Sequence, residues 1–119
     1  MSGQRRPMGS LEDHVMDYLW ALGSSASAAD VRSAVAPELA YTTVTTVLTR
    51  LVEKGRLERH LVGRSFRYEP TRPEAEVRAD EMSGTLVEAG DRTEVLSRFV
   101  DALAADDLLT LRRLLEGSD

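Results

Sequence analysis

The stretch Tyr41-Thr42-Thr43-Val44-Thr45-Thr46-Val47-Leu48-Thr49-Arg50 concentrates hydroxyl groups beside a single guanidinium. A threonine offers its hydroxyl to a phosphate or a base edge and its methyl to the thymine methyl group, and an arginine grips guanine or phosphate with two parallel N–H donors. Val44, Val47, Leu48 and Leu51 recur at i, i+3, i+4 and i+7, so a helix turns them to one side. The opposite side then carries Thr42, Thr46, Thr49 and Arg50, with Thr43 at the N-terminal end. β-Branched composition alone favours a strand here. Strict alternation, however, would mix Val44, Thr46 and Leu48 on one face, whereas the helical period separates apolar from polar. Unpaired N–H groups at the start of such a helix add a seat for phosphate. Further along, Arg59, Arg64 and Arg67 supply cations suited to gripping a nucleic-acid backbone rather than reading it.

Other chemistries lack their residues. The chain has no cysteine, which removes thiol nucleophiles, thiolate metal sites and disulfides. Its two histidines, His14 and His60, stand far apart in sequence and do not read as a metal-ligand pattern, so no metal and no cofactor is expected. Neither a G-x-S-x-G elbow nor a glycine-rich phosphate loop is present, and the expectation is a protein without enzymatic activity. No apolar run approaches the ~20 residues of a membrane span. Arg5 and Arg6 precede no apolar stretch that would make a signal peptide, so a cytoplasmic location without membrane insertion is expected.

The elements that position these residues follow from caps, periods and breakers. Ser10 with Asp13 reads as an N-cap opening a helix from Leu11 to Leu22, with an apolar stripe of Leu11, Val15, Tyr18, Leu19 and Leu22, closed by Gly23. Ser27 with Asp30 repeats the cap before a helix whose inner face is Val31, Ala34 and Val35, and Pro37 stops it. The threonine-bearing helix runs from Tyr41 to Lys54 and ends at Gly55. Leu57 to Val62 and Ser65 to Tyr68 flank Gly63-Arg64, the signature of a β-hairpin with a type II′ turn. Tyr18 and Trp20 are expected in the core.

After Pro70 and Pro73 helical spacing returns. Ala75, Val77, Ala79, Leu86 and Val87 mark one helix up to Gly90. Val95, Leu96, Phe99, Val100 and Leu103 mark a second, and Leu108, Leu109, Leu111, Leu114 and Leu115 a third. The fold expected is therefore mainly α with a small β-hairpin wing: a flexible N-terminal arm over 1–9, a winged helix-turn-helix over 10–70 and a three-helix dimerisation region over 71–119. So short a tail rarely buries enough apolar area alone. A second copy supplies the missing surface and places two recognition helices about 34 Å apart, or a multiple of that, on a pseudo-palindromic operator. Leucine-rich stripes do not distinguish this homodimer from a tail folded back on its own winged domain. Leu86, Val95, Leu96, Phe99, Val100, Leu103, Leu108, Leu111 and Leu115 are the candidate dimerisation residues.

A net charge of -5 is unusual for a nucleic-acid binder, but the charge is unevenly placed. Ala40 to Tyr68 holds six basic residues against two acidic ones, and Thr71 to Asp119 six against twelve. The two parts face different partners, and double-stranded DNA suits the first. A winged domain used for protein–protein assembly is the alternative, as is a repressor induced by a small molecule held between domain and tail.

Leu11 to Trp20, the run Tyr41 to Leu48 continuing through Arg50-Leu51 and Lys54-Gly55, and Gly63-Arg64 to Tyr68-Pro70 resemble the penicillinase-repressor family, BlaI/MecI/CopY. The resemblance spans the winged part and, more loosely, the tail. It implies a dimeric repressor of β-lactam-resistance genes, released when a membrane-bound sensor protease cuts the dimerisation region. In that family the cut falls at an Asn-Phe bond of the second tail helix, a place held here by Arg98-Phe99. The copper-responsive branch carries a cysteine-rich tail that this chain lacks.

Overall fold

The structure, a computed structural model, describes residues 8–117. Its elements are α1 (Met8–Leu22), β1 (Ala26–Ser27), α2 (Ala28–Val35), α3 (Tyr41–Glu53), β2 (Leu57–Val62), β3 (Ser65–Pro70), α4 (Glu74–Val87), α5 (Arg92–Ala102) and α6 (Ala105–Leu115). The chain divides into two compact units, Met1–Glu76 and Val77–Asp119, the boundary falling inside α4. Of the arm expected over 1–9, residues 1–7 lie outside the described residues, and Met8 and Gly9 are helical.

α1 therefore begins before Ser10, which sits inside the helix rather than capping it. A cap pair is a local signal worth about 1 kcal/mol, and it does not stop a helix from extending past it. Leu11, Val15 and Leu19 are buried as their spacing predicts, and Met16 joins them. Leu22, the last residue of the expected stripe, is 43% exposed. Gly23 follows at φ +73°, and its N–H closes the last turn on Leu19 O at 3.2 Å.

At α2 the capping box forms as read: Ser27 Oγ accepts from the Asp30 N–H at 3.1 Å, and an Asp30 carboxylate oxygen accepts from the Ser27 N–H at 3.3 Å. The buried face differs from expectation. Ala28, Val31 and the half-buried Val35 share it, and Ala34 is exposed because it lies about a quarter-turn round the helix from them. Arg32 then ties down the α2–α3 turn, donating to Leu39 O at 2.6 Å and Pro37 O at 3.3 Å. Ser27→Ala is expected to cost about 1 kcal/mol, or about 4–8 °C of melting temperature for a unit of this size, read by thermal denaturation. An unchanged melt would mean that the box contributes nothing.

α3 forms despite its threonines because its inner stripe is completely enclosed: Val44 is 1% exposed, and Val47, Leu48 and Leu51 are 0%. These four pack with α1, α2, Leu57 and Tyr68 in one core. Trp20 and Tyr18 lie half-buried against it, and the Trp20 indole N–H donates to Arg72 O at 3.0 Å. Glu12 is only 6% exposed, and its Oε1 accepts from Lys54 Nζ at 2.8 Å, which joins α1 to the end of α3. A buried carboxylate needs such a partner, so this pair helps set the orientation of α3 on the core.

The hairpin pairs Val62 with Ser65 at its tip and Leu57 with Pro70 at its base, so β3 extends beyond the Tyr68 end expected for it. Gly63 has φ +64°, and among the described residues no non-glycine has a positive φ. Positive φ at the first turn position only is the type II′ pattern. A strand not foreseen, β1, pairs Ala26 with Tyr68 and Ser27 with Arg67, giving a three-stranded antiparallel sheet in the order β1-β3-β2. In the second unit, α4, α5 and α6 contain no fully buried residue. Asp91 caps α5, its side chain accepting from the Glu94 N–H at 3.0 Å.

Candidate nucleic-acid interface

With its apolar side sealed, α3 turns its other side to solvent. Thr42, Thr46 and Arg50 are exposed there, and Thr43 and Thr49 are half-buried at its margins. Thr45, Thr46, Thr49, Arg50 and Glu53 line one shallow depression on this face. Thr45 and Glu53 were not foreseen. Residues 46, 49, 50 and 53 repeat at i, i+3, i+4 and i+7, the same period as the buried stripe, and that spacing would have pointed to Glu53. Glu53 adds an acceptor of the kind that pairs with the cytosine amino group.

The threonine hydroxyls are not equivalent. Thr45 Oγ1 and Thr46 Oγ1 both donate to Thr42 O, at 3.0 and 2.9 Å. Their protons are committed to the backbone, so outward they present lone pairs and methyl groups. At the start of α3 the cap residue is Ala40, which has no side-chain acceptor, and the Thr43 and Val44 N–H groups bond back to Ala40 O at 3.1 and 3.2 Å. The phosphate seat expected there is thereby narrowed to the N–H groups of Tyr41 and Thr42.

The three arginines of the hairpin region separate. Arg64 stands exposed at the turn, and neither it nor Arg50 has a side-chain partner among the described residues. Arg59 lies over the Phe66 ring, 4.4 Å from its centroid, a cation–π contact that holds the guanidinium on the wing. Arg67 is half-buried along the sheet: its guanidinium donates to Ser25 Oγ at 3.0 Å and Ser25 O at 2.9 Å and stands 4.0 Å from Asp30. This arginine braces β3 against the loop before α2, which engages two of its five N–H donors within the protein. His60, read in isolation from any ligand cluster, stands with Glu58 and Glu69 on one face of the hairpin.

Among the tail residues, Val95, Leu96, Phe99 and Val100 are 39–45% exposed, and Leu86, Leu103, Leu108 and Leu111 are half-buried. Leu115, at 79% exposed, is open to solvent. Met82, Ser83, Thr85, Leu86, Val95, Leu96 and Phe99 line an apolar groove of about 400 Å³ between α4 and α5. Met82 was not among the expected residues. The Arg98-Phe99 bond lies within α5, and Arg98 is paired with Glu94 at 2.8 Å. No helix among the described residues is long and apolar enough to cross a membrane.

Three helices leading into a hairpin, with the third helix turning a polar face to solvent, make the first unit a winged-helix domain of the kind that transcription regulators use. Its sequence is more specific: the penicillinase repressor profile matches residues 8–117. The chain belongs to the penicillinase repressor family and is a DNA-binding transcriptional repressor, not an enzyme. It is 37% identical over 113 residues to the transcriptional regulator BlaI of Mycobacterium tuberculosis, in both strain CDC 1551 and strain H37Rv, covering 91% of this chain and 82% of that protein. In fold it is similar to the crystal structure of the YusO protein of Bacillus subtilis, with a TM-score of 0.52, 17% identity, and coverage of 92% of this chain and 74% of that one.

Proposed function

We propose that the chain represses transcription as a homodimer on a pseudo-palindromic operator, with α3 of each copy in the major groove and the wing on the flanking backbone. The observation that carries this reading is the division of α3 into a sealed apolar side, 0–1% exposed, and an open side bearing Thr42, Thr46, Thr49, Arg50 and Glu53. In the proposed interface Arg50 reads a base edge, Thr43 sits at the phosphate-facing start of the helix, and Arg64 and Arg59 grip backbone. Arg67 acts only by holding β3 in place.

Dimerisation is proposed through the α4–α5 groove, with Leu86, Val95, Leu96 and Phe99 meeting their counterparts, and through Val100, Leu103, Leu108 and Leu111. Three helices without a single fully buried residue leave apolar area for a second copy to cover. The division into a DNA-binding head over 10–70 and a dimerising tail over 71–119 is retained as part of this proposal. We further propose that the regulated genes are of the β-lactam-resistance type and that a membrane-bound sensor protease relieves repression near Arg98-Phe99. The helical setting of that bond requires α5 to unwind locally before cleavage.

Titration of a fluorescent operator duplex tests the DNA interface. Arg50→Ala is expected to weaken specific binding about 10–100-fold and to relax preference at one base position. Arg64→Ala is expected to weaken all duplexes alike and to reduce the slope of log K against log salt by about 1. Parent-like behaviour of both variants would place the interface elsewhere.

A further inference from the structure

The wing carries a second constellation, on the face opposite Arg59 and Phe66. Glu58 and His60 are two residues apart on β2 and therefore point the same way. The register sets Glu58 directly across from Glu69 and His60 across from Arg67. One ligand atom from each of Glu58, His60 and Glu69 lies within 4.8 Å of the other two, and His60 Nε2 is 2.7 Å from Glu69 Oε2.

Like charges placed directly opposite in an antiparallel pair repel, so the Glu58–Glu69 pair favours a cation between its carboxylates. The adjacent cation does not serve. Arg67 is drawn across to the other edge of β3, where Ser25 and Asp30 hold its guanidinium. Among the described residues no lysine or arginine forms an ion pair with Glu58 or Glu69, and His60 is the only ion-pair partner of Glu69.

We propose that Glu58, His60 and Glu69 form a binding site for a divalent transition-metal ion, zinc being the best fit. One imidazole nitrogen and two carboxylate oxygens are zinc donors, and three protein ligands leave a position for water. Magnesium and calcium are disfavoured because both favour oxygen ligands, which an imidazole does not provide. The three residues project from paired strands, so the backbone ladder holds their spacing. A dication there offsets the charge of the two carboxylates on the wing.

Calorimetric titration of zinc chloride into the full, untagged chain tests the site. The chain contains two histidines, so the imidazole contribution is separable. The parent and His14→Ala are expected to bind one equivalent. His60→Ala and Glu58→Gln are expected to lose at least about tenfold in affinity, since loss of a mere outer-shell partner already costs roughly 10–100-fold. Glu58 and His60 are exposed, so these substitutions leave the core intact, and circular dichroism melting verifies the fold. Absence of binding by the parent, or zinc affinity in His60→Ala equal to the parent's, would overturn the proposal.

Discussion

Phe99→Asp is expected to yield a monomer that has lost most of its operator affinity. In the single chain Phe99 is 42% exposed and lines the groove between α4 and α5 with Met82, Leu86, Val95 and Leu96. In the proposed dimer that ring is covered, and a carboxylate in its place would be desolvated without a partner at a cost of several kcal/mol. A two-fold interface presents the substitution twice, and each 1.4 kcal/mol is about tenfold in the dissociation constant, so dimerisation weakens by at least about 1,000-fold. A single head then engages one half-site and forgoes an avidity gain of about 100–10,000-fold. Sedimentation equilibrium reads the first effect and an operator titration the second. Leu96→Asp is expected to act in the same way. An undiminished dimer in either variant would place the interface elsewhere on the chain.

Leu48→Ala is expected to destabilise the first unit by about 2–5 kcal/mol, because the side chain is 0% exposed and its removal leaves a cavity in a core shared by three helices. Small domains hold about 5–15 kcal/mol in total, so the loss is a large fraction of what keeps α3 folded. Urea unfolding should show a lowered midpoint with an unchanged slope. Thr46→Ala, on the opposite side of the same helix, is expected to stay within about 0.5 kcal/mol of the parent, since Thr46 is exposed. Equal effects from the two substitutions would contradict the two-sided division of α3.

What the sequence made legible was local. The period of Val44, Val47, Leu48 and Leu51 identified α3 and its buried side against the β preference of five threonines, because burying a continuous stripe outweighs propensity. Gly63 marked the two-residue turn, but the second strand runs on to Pro70, past the Tyr68 end expected for it. Ser27 with Asp30 marked the start of α2, whereas the similar pair Ser10 and Asp13 did not mark the start of α1. Such a pair stabilises a helix end where one exists, and it cannot create one.

The rest depended on residues distant in sequence. β1 is two residues long and exists only through pairing with β3, so no window around Ala26 reveals it. Arg67 reads as a free cation until Ser25, 42 residues away, is folded against it. The Glu12–Lys54 pair spans the same separation, which hides from the sequence the contact that helps orient α3. Glu58, His60 and Glu69 become a cluster only once the hairpin register is known. Within the candidate interface, helical spacing gave Thr42, Thr46, Thr49 and Arg50 but not Thr45, and the backbone commitment of the Thr45 and Thr46 hydroxyls required coordinates.

These particulars give the two units different sources of stability. The winged unit holds its own sealed core, and its proposed recognition surface is the reverse side of a helix anchored in that core. The tail helices carry apolar stripes that are at most half-buried. In the proposed dimer, DNA occupancy would depend on assembly of the tail, and a break in α5 would act on the operator without touching α3.

The most direct test of that recognition surface is the reactivity of a cysteine placed on it. The chain has no native cysteine, so a Thr46→Cys variant reports on α3 alone, and Glu116→Cys, in the tail, serves as the control. Excess operator duplex is predicted to slow alkylation at position 46 and leave position 116 unchanged. Equal alkylation at position 46 with and without saturating DNA would show that this side of α3 does not enter the groove.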